Sequence, residues 1–188
     1  INPAAGSLTI TEPLTLQGTA AGRARLINAA GTNTYAGNIN IADIQQGVSI
    51  DANAGYLLIT GDITGNIPNN FFIRGNANGA ITGNINISGG GGISKTDNGT
   101  WTIGAPGNAY NLGSTTMVVV GTLKMGTTNL LPLTTILTVG QSDGSSPIFD
   151  LNGFDQTVAG LVHVAGTGGN KQISNLGGAP ATLTVSNS

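Results

Sequence analysis

One five-residue string, Gly37-Asn38-Ile39-Asn40-Ile41, is repeated without change as Gly83-Asn84-Ile85-Asn86-Ile87. The copies lie 46 residues apart (37 to 83), or twice 23. Gly99-Thr100-Trp101-Thr102-Ile103 returns as Gly121-Thr122-Leu123-Lys124-Met125 at an offset of 22 (99 to 121). Ile63-Thr64-Gly65-Asn66-Ile67 returns as Ile81-Thr82-Gly83-Asn84-Ile85 at an offset of 18 (63 to 81). Recurrence near twenty residues marks a solenoid, whose repeats bury their apolar faces only by stacking on one another.

The local pattern says what each repeat is made of. Leu8-Thr9-Ile10, Leu14-Thr15-Leu16, Ile85-Asn86-Ile87, Trp101-Thr102-Ile103, Leu123-Lys124-Met125 and Leu137-Thr138-Val139 alternate apolar and polar residues. Period 2 places one strand face in a core and the other in water. Gly, Asn, Asp and Pro punctuate the runs, as at Gly61-Asp62, Asn69-Asn70, Asp97-Asn98-Gly99 and Asp143-Gly144. The nearest helix candidate, 18–25, contains Gly18 and Gly22, which disfavour it. The fold expected is all-β: a right-handed, single-stranded parallel β-helix of roughly eight coils of about 22 residues, each with two or three short strands. Stacked coils also predict ladders of Asn and Thr at equivalent outward or corner positions.

Composition narrows the function classes. Charged residues make up 7% of the 188, so the surface is polar through Asn, Thr, Ser and Gln. A net charge of −2 with scattered basic residues predicts no nucleic-acid partner. The absence of Cys excludes a disulfide scaffold and a thiolate metal site. No apolar run reaches the roughly 18 residues of a membrane-spanning helix. Contact with a membrane is expected only through an anchor outside this sequence, which reads as a segment of a longer chain.

From Gly92 onward the motifs are specific. Gly92-Ile93-Ser94-Lys95-Thr96-Asp97-Asn98-Gly99-Thr100-Trp101-Thr102-Ile103 resembles the opening of the autotransporter-associated β-strand repeat. Asn108-Ala109-Tyr110-Asn111-Leu112-Gly113-Ser114-Thr115-Thr116 is similar to its middle, and Val119-Val120-Gly121-Thr122-Leu123-Lys124-Met125-Gly126 to its close. Phe149-Asp150-Leu151-Asn152-Gly153-Phe154-Asp155-Gln156-Thr157-Val158-Ala159-Gly160-Leu161 is similar to the coil that follows in such proteins. Pro13-Leu14-Thr15-Leu16-Gln17-Gly18 and Gly31-Thr32-Asn33-Thr34-Tyr35-Ala36-Gly37 carry a looser likeness to the flanking region. Trp101 stands where the family usually has Leu, and Asn111 where Thr is common.

The resemblance implies one continuous β-helix, with degenerate coils over 1–91, the repeat over 92–161 and terminal coils over 162–188. It implies a passenger segment exported to the outer surface of a Gram-negative bacterium, structural or adhesive and not enzymatic. The partners implied are neighbouring coils of the same longer chain, or identical subunits stacked end to end, with a glycan or cell-surface receptor for an adhesive segment. A self-assembling extracellular fibre is the alternative, because open strand edges template further pairing. A polysaccharide-active β-helix enzyme is a third reading.

Candidate site residues are few, and no catalytic, cofactor-binding or metal role is assigned. An enzyme would need paired carboxylates on one face. Asp143, Asp150, Asp155 and His163 are the densest group, read here as solvated: Asp150 outward between Phe149 and Leu151, and His163 outward between Val162 and Val164. Asp51, Asp62 and Asp97 lie near turns without the repeated Gly-Gly-x-Gly-x-Asp pattern of a calcium solenoid. The run Gly89 to Gly92 reads as a corner or bulge, since no Gly-Lys-Ser or Gly-Lys-Thr follows. Arg23, Arg25 and Arg74 have the chemistry for an acidic glycan, but three arginines scattered over the chain are more simply explained by solubility and corner contacts. Of Trp101, Tyr35, Tyr110, Phe149 and Phe154, the first and fourth hold apolar-phase positions and are expected in the core rather than in a sugar-stacking strip.

Overall fold

The computed structural model describes residues 1–2, 6–42, 47–107, 110–164 and 168–186. These residues form strands and no helix. The first coil holds β1 (Thr9–Ile10), β2 (Leu14–Leu16) and β3 (Ala24–Asn28). The second holds β4 (Thr32–Tyr35), β5 (Ile39–Ile41) and β6 (Val48–Ala52). The third holds β7 (Tyr56–Ile59), β8 (Ile63–Asn66) and β9 (Phe71–Arg74). The fourth holds β10 (Asn78–Ile81), β11 (Ile85–Ser88) and β12 (Ile93–Lys95). The fifth holds β13 (Thr100–Ile103), β14 (Tyr110–Leu112) and β15 (Thr115–Val118). The sixth keeps only β16 (Thr122–Met125) and β17 (Ile136–Val139). The seventh restores all three with β18 (Ile148–Asp150), β19 (Gln156–Val158) and β20 (Gly160–His163), and β21 (Gln172–Ser174) and β22 (Leu183–Val185) follow.

Corresponding strands stack into parallel sheets, giving a β-solenoid of about seven turns, about 24 residues apart. The first face runs unbroken through eight strands, from β1 to β21, and the third through seven, from β3 to β20. The step varies with the length of the corners: 22 residues from Thr100 to Thr122, 24 from Thr32 to Tyr56 and 26 from Thr122 to Ile148. That variation is why the coils average longer than the 22 residues expected.

The register explains two of the three motif recurrences. Ile39 stacks on Ile63 and Ile63 on Ile85, so the two identical strings lie two coils apart on the second face. Thr100–Ile103 pairs directly with Thr122–Met125. The 18-residue recurrence is not a coil. Ile81 lies on the first face, paired with Ile59 and Ile103, while Ile63 begins a second-face strand. The same string serves once as a strand and once as a corner, because Gly-Asn suits either. In the fifth coil, Asn108 and Ala109 lie outside the described residues.

Inward residues form columns along the axis. On the first face Leu57, Gly79, Trp101, Leu123 and Phe149 stack in that order. Trp101, Leu123, Phe149 and Ile103 are fully buried and Leu151 nearly so, as the alternation predicts. Trp101, the bulkiest residue of this column, has a compensating partner. A Cβ on Gly79 would meet the indole ring atoms at 2.7–2.8 Å. The ring therefore occupies the space that a side chain at Gly79 would need, and its Nε1 donates to the Arg74 carbonyl at 2.8 Å.

The second face breaks in the sixth coil, where 126–135 forms no strand. The fully buried Gln156 spans the gap. Its Oε1 accepts the N–H groups of Leu130 and Leu131 at 2.9 and 3.4 Å, and its Nε2 donates to the Thr127 carbonyl at 2.8 Å. One side chain thus replaces a missing length of backbone ladder. Elsewhere, corner side chains carry the ladder outward. Asn38 Oδ1 accepts from Asp62 N at 3.1 Å, and Asp62 Oδ1 accepts from Asn84 N at 2.9 Å. On the outward row, Asn111 Nδ2 donates to Asn86 Oδ1 at 3.2 Å. These are the ladders expected of stacked like residues.

A Gly79→Ala substitution forces a methyl group into the indole and is expected to cost about 1–3 kcal/mol of stability. In Trp101→Leu the same substitution should cost much less. A double-mutant cycle by urea denaturation reads the coupling; additive losses would disprove the pairing.

Candidate functional site

The carboxylates of the acidic group are hydrogen-bonded at turns and corners. Asp143 sits at a turn, where its carboxylate accepts bonds from the Ser145 hydroxyl, the Gln141 amide and the Ser145 backbone N–H. Those bonds, the Ser145 hydroxyl first and Gln141 next, hold its carboxyl below the usual range. Asp155 Oδ1 accepts from Thr182 N at 2.6 Å in the following coil. Asp150 corrects the reading of a solvated outer-face residue, for it is 1% exposed. Its Oδ1 accepts the backbone N–H groups of Asn152 and Leu176, each at 2.9 Å, and so ties two corners together. Each of these carboxylates is engaged in a corner or turn. Among the described residues no three His, Cys, Asp or Glu groups gather as a metal site would require.

His163 also differs from expectation, in phase rather than exposure. It pairs with Val139, which pairs with Val118, and both valines are buried. His163 therefore belongs to the inward column, and Val162 to the outward row beside Thr138. It is exposed because no strand of the described residues stacks on β20.

The arginines gather on the third face. Arg25 Nε donates to Asp51 Oδ2 at 2.8 Å. Asp51, expected near a turn, lies within β6 and is fully buried. Arg74 Nε lies 3.6 Å from Asp97 Oδ2, which also accepts from Gly75 N at 3.0 Å. The Arg23 guanidinium lies over the Phe72 ring, 4.0 Å from its centroid. Arg25, Ser49 and Phe72 form one outward row, so Arg23 reaches from the first coil to the third. Ser49 in the intervening strand is fully buried. Beside this stack is a groove of about 310 Å³, lined by Arg23, Phe72, Pro68, Asn69, Asn70 and the Gly90-Gly91 corner.

The other aromatics belong to the wall and its packing rather than to a strip. The Tyr35 hydroxyl donates to the Glu12 carbonyl at 2.8 Å, and the Tyr110 hydroxyl accepts from Ala105 N at 2.7 Å. Phe154 packs against the core from a half-buried position.

Sequence reasoning missed Lys95. Its position is inward, between Ile73 below and Val118 above, and the residue is fully buried. Its Nζ donates to the carbonyls of Thr96 and Asp97, each at 2.7 Å, and of Val120 at 3.1 Å. The corner from the third face to the first recruits other internal donors too. Asn28 Nδ2 donates to the Gly31 and Ala54 carbonyls at 3.1 and 2.7 Å, and Trp101 Nε1 to that of Arg74. The available signal was alternation itself: Ile93-Ser94-Lys95 puts the lysine in the apolar phase.

Comparison with protein-family models, with curated proteins and with solved structures finds no match to this chain. No helix among the described residues is long and apolar enough to cross a membrane.

Burial lowers the Lys95 ammonium to about 8, against a smaller opposing pull from Asp97. The unfolded chain then binds more protons than the folded one between about pH 8 and 10.5, so stability rises with pH across that window. Below it, the buried charge is present at full cost. Compared with Lys95→Met, the wild type is expected to gain stability from pH 8 to 10.5. The gain stays below the roughly 3 kcal/mol of the full shift, because three carbonyls favour the charged form. Urea midpoints across that range check this; parallel pH profiles would refute it. At neutral pH Lys95→Met leaves three carbonyls without their donor and is expected to destabilise by about 1–3 kcal/mol.

Proposed function

We propose that the chain is a stiff structural segment of a secreted or surface-displayed bacterial passenger, which holds an adhesive surface away from the membrane and has no enzymatic activity. The observation that carries this reading is the unbroken first face, with eight strands in register over one apolar column. At a strand spacing of about 4.8 Å, the seven steps between them make a rod segment about 34 Å long. Coils that exchange all their ladder bonds with neighbours resist bending as a unit, which is the mechanical property a stalk needs. Uncharged outward Thr and Asn on the second face, such as Thr15, Asn40, Thr64 and Asn86, suit a surface soluble without ion pairs. Export to the surface of a Gram-negative cell rests on the likeness of 92–161 to the passenger repeat.

A second reading, a subunit of an extracellular fibre, draws on one observation. Leu161 and Ile173 continue buried inward columns above Leu137 and Phe149, yet are 42% and 39% exposed. A further coil of the same longer chain, or an identical subunit, would cover them.

Electron microscopy separates the readings. The structural segment predicts short single rods whose length does not change with concentration; filaments lengthening with concentration would favour the fibre. An antibody against the chain should label intact cells of the producing bacterium and lose its target after external protease. Labelling only after lysis would remove the surface assignment. The release of new reducing ends from polysaccharides is expected to stay at the buffer level, and turnover above it would make the chain an enzyme. Asp150→Asn is a poor probe of that activity, since Asp150 holds two backbone N–H groups.

A further inference from the structure

We propose that Asn152 is a self-modification site: when the corner stacked on it lifts, Asn152 and Gly153 close a succinimide, and the asparagine is lost to aspartate or isoaspartate. Asn-Gly is the step at which such closure is fastest, because glycine has no side chain to shield its nitrogen or to restrict the turn that the attack needs. The chain contains three of them, Asn78-Gly79, Asn98-Gly99 and Asn152-Gly153. The Gly153 nitrogen gives its proton to a base in the solvent and attacks Asn152 Cγ, and the side-chain nitrogen leaves as ammonia. Water then opens the ring at either of its carbonyls.

The solenoid clamps each of the three steps to neighbouring coils. Gly79 lies in mid-strand, with β7 paired on one side of it and β13 on the other, and Asn78 Oδ1 accepts from Thr100 N at 3.0 Å. Gly99 N donates to the Gly75 carbonyl at 3.0 Å, and the Gly99 carbonyl accepts from Thr122 N at 3.3 Å. Both steps therefore have a coil below and a coil above.

Asn152-Gly153 is held less firmly. Below, Asn152 Nδ2 donates to the Met125 carbonyl at 2.9 Å. Above, Gly153 N donates to a side chain, Asn175 Oδ1, at 2.7 Å. The corner that carries Asn175 is tied down where Leu151 N meets the Ser174 carbonyl at 2.8 Å and Leu176 N meets Asp150 Oδ1 at 2.9 Å. Its outer side is bare. Asn175, Leu176, Gly178 and Ala179 are exposed, and no strand of the described residues stacks on the far side of β21 or β22. Local opening costs least where fewest contacts are broken, so this corner opens before the inner coils and releases the Gly153 N–H.

The products do not let the corner close as before. Aspartate at this position has no amide N–H for the Met125 carbonyl and sets a carboxylate against it. Isoaspartate adds a methylene to the main chain at a residue whose φ is +52°. The modification thus marks an opened coil and keeps it open.

Neither microscopy nor surface labelling bears on this chemistry, which is tested on its own. The whole chain is held in mildly alkaline buffer with and without urea, and peptide mapping by mass spectrometry follows each asparagine. In urea the three should convert at similar rates. In buffer Asn152 should convert first, with Asn78 and Asn98 about tenfold slower or more. Asn175→Ala removes the acceptor of the Gly153 N–H. It should speed Asn152 about two- to tenfold, the equilibrium factor of one hydrogen bond, and leave Asn98 unchanged. Asn152→Asp should lower the urea midpoint and raise hydrogen exchange over 174–179. Circular dichroism confirms that each variant is folded. Equal rates at the three sites in buffer, Asn152 intact after prolonged warming of the folded chain, or an unchanged Asn152 rate in Asn175→Ala would each overturn the site. Full stability of Asn152→Asp would overturn the locking of the opened coil.

Discussion

No coil of this protein satisfies its own backbone. The N–H and C=O groups of each strand go to the coils on either side, through parallel pairs such as β4 to β7 and β13 to β16. A residue's environment is therefore set by residues one coil away and hardly at all by its neighbours in sequence. Trp101 illustrates the consequence. Its size is tolerated because Gly79, 22 positions earlier, has no side chain. Gly65 stands in the same relation to Ile41, whose Cβ lies 2.8 Å from where a Cβ of Gly65 would be. In such a stack a large residue and a missing one are a single feature spread over two coils.

The corners are where that logic is hardest to satisfy. Strands hold register, but corners differ in length from coil to coil, so their backbone groups cannot all find ladder partners. Buried polar groups must be paired or they destabilise the fold. Short Asx side chains meet this need repeatedly. Asn38 and Asp62 pass acceptors up one corner, and Asp150 and Asp155 do so at others. The abundance of Asn is thus a structural requirement of the corners as much as a way to wet the surface. Gln156 extends the same device to a stretch where an entire strand is absent.

Much of the fold was legible because period-2 alternation and a recurrence near 22 residues are local and repetitive signals. The strands at Leu14–Leu16, Ile39–Ile41 and Thr122–Met125 could be read directly, as could the burial of Ile103, Leu123 and Phe149. What failed depended on the neighbouring coil. Val162-His163-Val164 reads as two buried valines around an exposed histidine, and only the pairing with Val139 reverses that phase. Asp150 has the outward phase, yet the corner at Leu176 lays its backbone over the carboxylate. The groove at Arg23 was invisible for the same reason: residues 23, 72 and 90 meet only once two coils are wound between the first and the last.

With so few charges, where each one sits carries information. Two of the lysines serve the backbone rather than the surface. Lys95 fills a nest of three carbonyls inside the column, and Lys171 donates to the carbonyls of Asp143 and Gly168 at 2.8 and 2.9 Å. The Lys95 nest lies at the corner from the third face to the first, where Asp97 and Gly121 hold positive φ of 63° and 72°. A left-handed residue turns the chain sharply and takes its carbonyls off the ladder, and an ammonium with three donors can satisfy several at once. Arg25 and Arg74 are engaged with Asp51 and Asp97, which makes them part of the third face's own packing. Arg23 lies over the Phe72 ring, 4.0 Å from its centroid, and so ties the first coil to the third-coil strand of the same face.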